Sequence, residues 1–173
     1  MRVLLSAEQI QSSVHRLAEE IREREAGRPL TVIAVMTGSI IFLADLIRKL
    51  DMPLRVGVIQ ARSYLGTQRG ALSVNADMLP EVAGRDVLVI DDIFDTGHTL
   101  VEVLSFLNGL GPRSIRTAVL VLKKGKQQVE LRPDYVGFEI PDVFVVGYGL
   151  DFDNYYRNLP DIVTLKQSVI KRT

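Results

Sequence analysis

The chain has 173 residues, 47% of them hydrophobic and 24% charged, enough for one domain with a full core. Its 21 basic and 21 acidic residues balance, so no basic surplus points to nucleic acid as a partner. The absence of cysteine excludes disulfides, thiolate catalysis and thiolate metal sites, and no uncharged stretch approaches the roughly 18 residues of a membrane span.

The opening MRVLLSAEQ holds too short an apolar run for a secretory leader, so a cytoplasmic protein without a membrane partner is expected. Ser6 followed by Gln9 is a capping-box pattern, and Ile10, Val14, Leu17 and Ile21 recur at helical spacing behind it. Gly27 and Pro29 then stop this first helix. Leu30–Val35 is a buried-strand candidate that runs through Met36-Thr37-Gly38-Ser39 into a helix from Ile40 to Leu50. Arg55–Ala61 is a third strand. The polar, glycine-punctuated stretch Arg62–Gly70 has no period and reads as a long loop or hairpin tip, with its return strand near Ala71–Asn75.

Val87-Leu88-Val89-Ile90 is another buried strand, breaking into Asp91-Asp92 and then Asp95-Thr96-Gly97-His98-Thr99. A helix follows, with Leu100, Val103, Leu104 and Leu107 on one face. Ile115–Leu122 is a further strand, ending in Lys123-Lys124-Gly125-Lys126. Tyr135–Glu139, Val143–Tyr148 and Ile162–Leu165 are short apolar runs. Strands alternating with helices imply βαβ units, hence an α/β fold with a central, mostly parallel sheet flanked by helices. In such sheets ligands sit beyond the carboxyl ends of the strands. Met36–Ser39, Asp91–Thr99 and Lys123–Lys126 all lie at that end and can line one crevice.

Strand, polar turn, helix is the geometry that aims backbone N–H groups at a phosphate. Asp95–Thr99 offers such groups, the hydroxyls of Thr96 and Thr99, and a glycine that admits close approach. With no GxxxxGK[ST] pattern the natural guest is a monophosphate. A plain acidic turn capping the helix accounts for one carboxylate, not for Asp91, Asp92 and Asp95 together. Asp91 and Asp92 are suited to ribose hydroxyls or a metal, and Asp95 to action as a base.

VLVIDDIFDTGHT, residues 87–99, resembles the phosphoribosyl-pyrophosphate motif of type I phosphoribosyltransferases. RPDYVGFEIPDVFVVGYGLDFDNYYR, residues 132–157, resembles the purine-binding end of the hypoxanthine–guanine phosphoribosyltransferases. The likeness runs from about Val32 to Arg157. It implies the type I fold, with a core over about 1–132, a small hood formed largely by the C-terminal segment at about 133–173, and a flexible loop at about 62–76. It also implies transfer of a 5-phosphoribosyl group to N9 of hypoxanthine and/or guanine with release of pyrophosphate, in a homodimer or homotetramer.

The resemblance further implies site roles. Asp91 and Asp92 would hold the ribose hydroxyls, directly or through Mg²⁺, and the backbone of Asp95, Thr96, Gly97, His98 and Thr99 would cradle the 5-phosphate. Asp95 would be the general base near purine N7. Thr37, Gly38 and Arg157 would meet pyrophosphate, and the Met36–Thr37 peptide is expected to be cis. Lys123 would donate to the purine O6, Phe144 would stack on the ring, and Val145 would meet its edge through the backbone. Asp151 would attend a second Mg²⁺, and Ser63 with Tyr64 would belong to a loop that closes over the reaction centre. The chain departs from the pattern at Thr37 and His98, where lysine is common, at Asp91, where some members have glutamate, and at Val143, which is lysine in some relatives. The competing reading is a non-catalytic regulatory protein on the same fold that binds nucleotide or RNA.

Overall fold

The computed structural model describes residues 1–26, 28–63 and 72–165. In chain order these form β1 (Arg2–Leu5), α1 (Ala7–Glu25), β2 (Leu30–Met36), α2 (Ile40–Ile47), β3 (Leu54–Ser63), β4 (Leu72–Asn75), β5 (Asp86–Phe94), α3 (His98–Asn108), β6 (Ser114–Lys123), β7 (Tyr135–Ile140), β8 (Val145–Val146) and β9 (Ile162–Thr164). The larger sheet has the order β4-β3-β2-β5-β6-β7, and every neighbouring pair in it is parallel except β3 with β4. Because β4 runs back antiparallel along β3, the return strand expected near Ala71–Asn75 is present.

Alternation along the central strands divides the core between two faces. Val32, Ala34, Leu88, Ile90, Ala118 and Leu120 pack with Ile10, Val14, Leu17 and Ile21 of α1 and with Phe42 and Leu46 of α2. Ile33, Val35, Val87, Val89 and Val119 face the other way, onto Leu100, Val103 and Leu107 of α3. Helices therefore cover both faces, and the site lies along the strands' carboxyl ends.

Local chemistry sets the helix limits. The Ser6 hydroxyl accepts from the Gln9 N–H at 3.3 Å while the Gln9 amide oxygen accepts from the Ser6 N–H at 2.8 Å, closing the expected capping box. α1 ends one residue sooner than the sequence suggests, with Ala26 in the left-handed conformation at φ +49°. α2 gives up its regular pattern at Ile47 rather than Leu50; Lys49 and Leu50 instead donate to Leu46 and Ile47 in tight turns.

The sequence-based boundaries need three corrections. β7 is hydrogen-bonded to β6, with Ala118 opposite Tyr135, so residues 135–140 belong to the large sheet and not to the hood. The smaller sheet has the order β1-β9-β8, so the hood also takes its edge strand from the N-terminus, where only Leu5 is buried and no strand pattern shows. β5 also continues past Ile90. It stays paired to β6 through Phe94 and Leu122, and Asp91 and Asp92 are thus the last turn of a strand rather than the start of a loop.

Candidate active site

At the carboxyl ends of β2 and β5 lies a cleft of about 260 Å³ lined by Gly38, Asp91, Asp92, Asp95, Thr96 and Thr99, among others. The turn after β2 begins with a cis peptide between Met36 and Thr37, as expected. Ser39 stabilises it by donating its hydroxyl to the Val35 carbonyl at 2.5 Å. Gly38 lies so close to β5 that a Cβ there would stand 1.7 Å from Asp92 Oδ2. Thr37 is exposed at the tip of this turn and does not line the cleft.

Asp91 and Asp92 are held where ordered backbone leaves them little water. Asp91 Oδ1 accepts from the Asp92 N–H at 3.0 Å, and Asp92 Oδ1 from the Ile93 N–H at 2.9 Å. Burial, then the charge of Asp92, pushes the Asp91 carboxyl well above the usual range. Burial pushes Asp92 upward as well, against its hydrogen bonds and the nearby charge of Arg157. Two adjacent carboxylates in this state are uncomfortable as free anions and suited to a cation or to hydroxyl donors. No group of three His, Cys, Asp or Glu side chains that could hold a metal occurs among the described residues. A cation here would take at most two protein carboxylates and draw its other oxygens from substrate and water, which is the habit of Mg²⁺.

Beyond Phe94 the chain turns into α3. Gly97 is its N-cap at φ +91°, and no side chain caps the first turn, whose N–H groups lack intrahelical partners. With Thr96 and Thr99 on the cleft, these N–H groups stand where the sequence suggests a phosphate cradle. The exposed His98 ring meets Gln128, its Nε2 lying 3.0 Å from Gln128 Oε1, and His98 is not among the residues lining the cleft.

Lys123, the last residue of β6, is almost buried and donates to Asp95 Oδ2 at 2.9 Å, with Asp142 Oδ1 at 4.0 Å. Asp95 Oδ1 is buried without a partner among the described residues. Lys123 and Asp95 thus form an ion pair at the ends of β5 and β6.

The hood closes the other side. Gly149, at φ +100°, sits so near the Gly38 carbonyl that a Cβ would stand 2.0 Å from its oxygen. Arg157 donates to the Gly149 carbonyl at 2.7 Å and pairs with Asp151 Oδ1 at 2.9 Å. The other Asp151 oxygen accepts from the Asn154 N–H at 2.8 Å, so this carboxylate is engaged within the hood and does not gather with Asp91 and Asp92. Phe144 remains 39% exposed, its ring edge-to-face with Phe152 at 5.6 Å, leaving an aromatic surface free. Val145 is buried in β8 opposite Thr164. Ser63 ends β3, and Tyr64 lies outside the described residues.

Sequence reasoning did not find Gln127, Gln128, Val129, Tyr148 or Asp45, all of which brace the site. Tyr148 and its neighbour Gly149 lie inside the recognisable motif at 132–157 and could have been found; the residue types of the others carry no signal.

The chain matches a phosphoribosyl transferase domain over residues 4–153. It is 38% identical over 165 residues to the hypoxanthine-guanine phosphoribosyltransferase of Aquifex aeolicus, which covers 94% of this chain and 93% of that protein. The crystal structure of a hypoxanthine-guanine phosphoribosyltransferase from Bacillus anthracis, with HEPES in the active site, superposes with a TM-score of 0.92 at 36% identity, over 96% of this chain and 99% of that one. A mutant hypoxanthine phosphoribosyltransferase of Trypanosoma cruzi, complexed with the product IMP, superposes with a TM-score of 0.93 at 35% identity, over 99% and 93% of the two chains.

Proposed function

The chain belongs to the phosphoribosyl transferase family, among its hypoxanthine-guanine phosphoribosyltransferases, and we propose how its residues carry that purine-salvage reaction. The 5-phosphoribosyl group of phosphoribosyl pyrophosphate passes to N9 of hypoxanthine and/or guanine, giving IMP or GMP and pyrophosphate. One observation carries the assignment of roles: the Lys123 ammonium and the Asp95 carboxylate stand 2.9 Å apart next to a phosphate cradle.

A 6-oxopurine carries O6 and N7 side by side on one edge. Lys123 donates to O6. Asp95 accepts the N7 proton on its carboxylate. As the N7–H bond gives up its proton to Asp95, the N9 lone pair bonds to the ribose C1′ and the C1′–oxygen bond breaks, its electron pair leaving with pyrophosphate. A 6-aminopurine would set an NH₂ donor against an ammonium that cannot accept, which disfavours adenine. Phe144 stacks on the base and the Val145 backbone meets its edge.

The N–H groups at Asp95–Thr99 hold the 5-phosphate, and Asp91 and Asp92 hold the ribose hydroxyls. Mg²⁺, which this donor pair suits, would screen the pyrophosphate charge when bound. Gly38, Thr37 and Arg157 receive the pyrophosphate, Asp151 positions Arg157 or attends a second Mg²⁺, and Ser63 with Tyr64 closes over the centre to keep out water. The negative field of Asp91 and Asp92 favours positive charge developing on the ribosyl ring. We place the enzyme in the cytoplasm, which its lack of cysteine suits. We also read it as a homodimer or homotetramer; the exposed Val56 and Met78 beside β3 support a subunit contact.

Nucleotide and pyrophosphate formation, followed with hypoxanthine, guanine, xanthine and adenine in Mg²⁺ and again in EDTA, tests this reading. Turnover of hypoxanthine or guanine, none of adenine and loss in EDTA are expected. Nucleotide binding without turnover of any base would favour the non-catalytic alternative.

A further inference from the structure

Three consecutive residues after β6 each touch a successive part of the phosphate loop. Gln127 Nε2 donates to the Asp95 carbonyl at 3.3 Å and also to the Lys123 carbonyl. The Gln128 N–H donates to the Thr96 carbonyl at 2.9 Å, and its side chain meets His98 at 3.0 Å. Val129 fills the space beside Gly97, where a Cβ would lie 2.4 Å from Val129 Cγ2.

We propose that Gln127–Val129 is a strap that fixes the loop against β6, and that Gln127 is a positioning residue holding Asp95 and Lys123 at their working separation. The proposal rests on the roles given to these two residues above. Lys123 is held in the sheet by its pairing with Ile140 of β7, but the β5–β6 ladder ends at Phe94 and Leu122, so no strand pairing fixes Asp95 against Lys123. An amide nitrogen carries two hydrogens, one for each of the two carbonyls. Among the described residues, the Asp95 carbonyl receives no other hydrogen bond. One side chain thus ties together the main chains of the two residues that meet the same purine edge, and small misplacements at a reacting centre are costly in rate.

Two variants of similar length remove the donor in different ways: Gln127→Met has no polar end, and Gln127→Glu has oxygens in place of the NH₂. Both are expected to lower kcat with hypoxanthine and guanine roughly 10- to 100-fold and to raise KM for the base. KM for phosphoribosyl pyrophosphate and the melting temperature should stay near wild type, since the cradle N–H groups, Gln128 and Val129 are untouched. Gln127→Asn, which keeps the NH₂ on a shorter arm, should fall between them and wild type. Gln127→Met or Gln127→Glu retaining kcat within about twofold overturns the proposal. So does a loss that follows a fall in melting temperature with both KM values rising together, because the strap would then be only structural. A wild-type chain that turns over neither base overturns the function itself; an active wild type with unaffected variants overturns only the role of Gln127.

Discussion

The side of Gly38 where a Cβ would project is occupied by the Asp92 carboxylate: that Cβ would stand 1.7 Å from Oδ2 and 2.5 Å from Cγ. The turn after β2 and the end of β5 therefore share one volume only because residue 38 lacks a side chain. The contact joins the turn proposed to receive pyrophosphate to a carboxylate proposed to hold the sugar. Gly38→Ala must displace one or the other by more than an ångström. The expected result is a fall in kcat/KM for phosphoribosyl pyrophosphate of about 10²-fold or more with the fold retained. Steady-state kinetics beside a circular dichroism spectrum checks it, and near-normal kinetics would show that the two elements can part without harm.

Asp95→Asn keeps the size of the side chain and removes its basicity. Because the cradle uses backbone N–H groups, phosphoribosyl pyrophosphate should still bind. The proton at N7 then has no acceptor, and kcat should drop on the order of 10²–10⁴-fold. Calorimetric titration separates the two effects. An asparagine variant with near-full turnover would remove Asp95 from the chemistry.

Asp91 and Asp92 make the ligand-free protein less stable as pH rises, the reverse of the usual aspartate effect. Burial, with the Asp92 charge second, raises the Asp91 carboxyl well above its ordinary value, and burial raises that of Asp92. Between the unfolded value of about 3.9 and the raised folded one, the native chain holds more protons than the unfolded chain, so unfolding free energy falls with pH. Asp91→Asn removes the titration while leaving an oxygen for the Asp92 N–H. The variant should melt higher than wild type near pH 8, lose that advantage toward pH 4, and be nearly inactive. Melting curves across this range decide it; a variant no more stable than wild type at about pH 8 would count against the buried pair as a cost.

Most of the core was legible because its signals are local. Val32–Val35 and Val87–Ile90 are apolar enough to demand burial on both faces, and Ser6 and Gln9 form a helix start within four residues. The proposed phosphate cradle stands out for the same reason, since Asp95–Thr99 is contiguous. What escaped depends on partners distant in sequence. β1 is a strand only because β9 lies beside it, and β5 extends through Asp91 and Asp92 only because β6 continues to pair with it. The lean of His98 toward Gln128 is likewise a tertiary fact, as is the engagement of Asp151 by Arg157. Residue type alone shows neither of these two contacts.

Tyr148 latches the hood to the helical face through one hydrogen bond, its hydroxyl lying 2.6 Å from Asp45 Oδ2 on α2. Burial and the Asp45 charge both push the phenol far above its ordinary value, so it remains a donor at any working pH. Burial alone would raise the Asp45 carboxyl, but hydrogen bonds from Tyr148, Gln11 and Arg48 hold it below the usual range. Tyr148→Phe leaves Asp45 with two of these three partners, a loss of about 1–3 kcal/mol and hence roughly 2–10 °C in melting temperature. The functional consequence follows from the next residue, because Gly149 rests on the Gly38 carbonyl and gives its own carbonyl to Arg157. Loosening the latch should raise KM for phosphoribosyl pyrophosphate severalfold, and more than KM for the base, because Gly149, and through it Arg157, is tied to Tyr148 while the proposed base contacts at Lys123 and Asp95 lie outside the hood. Kinetics on both substrates tests the split: a lower melting temperature with both KM values unchanged would make the latch a matter of stability alone.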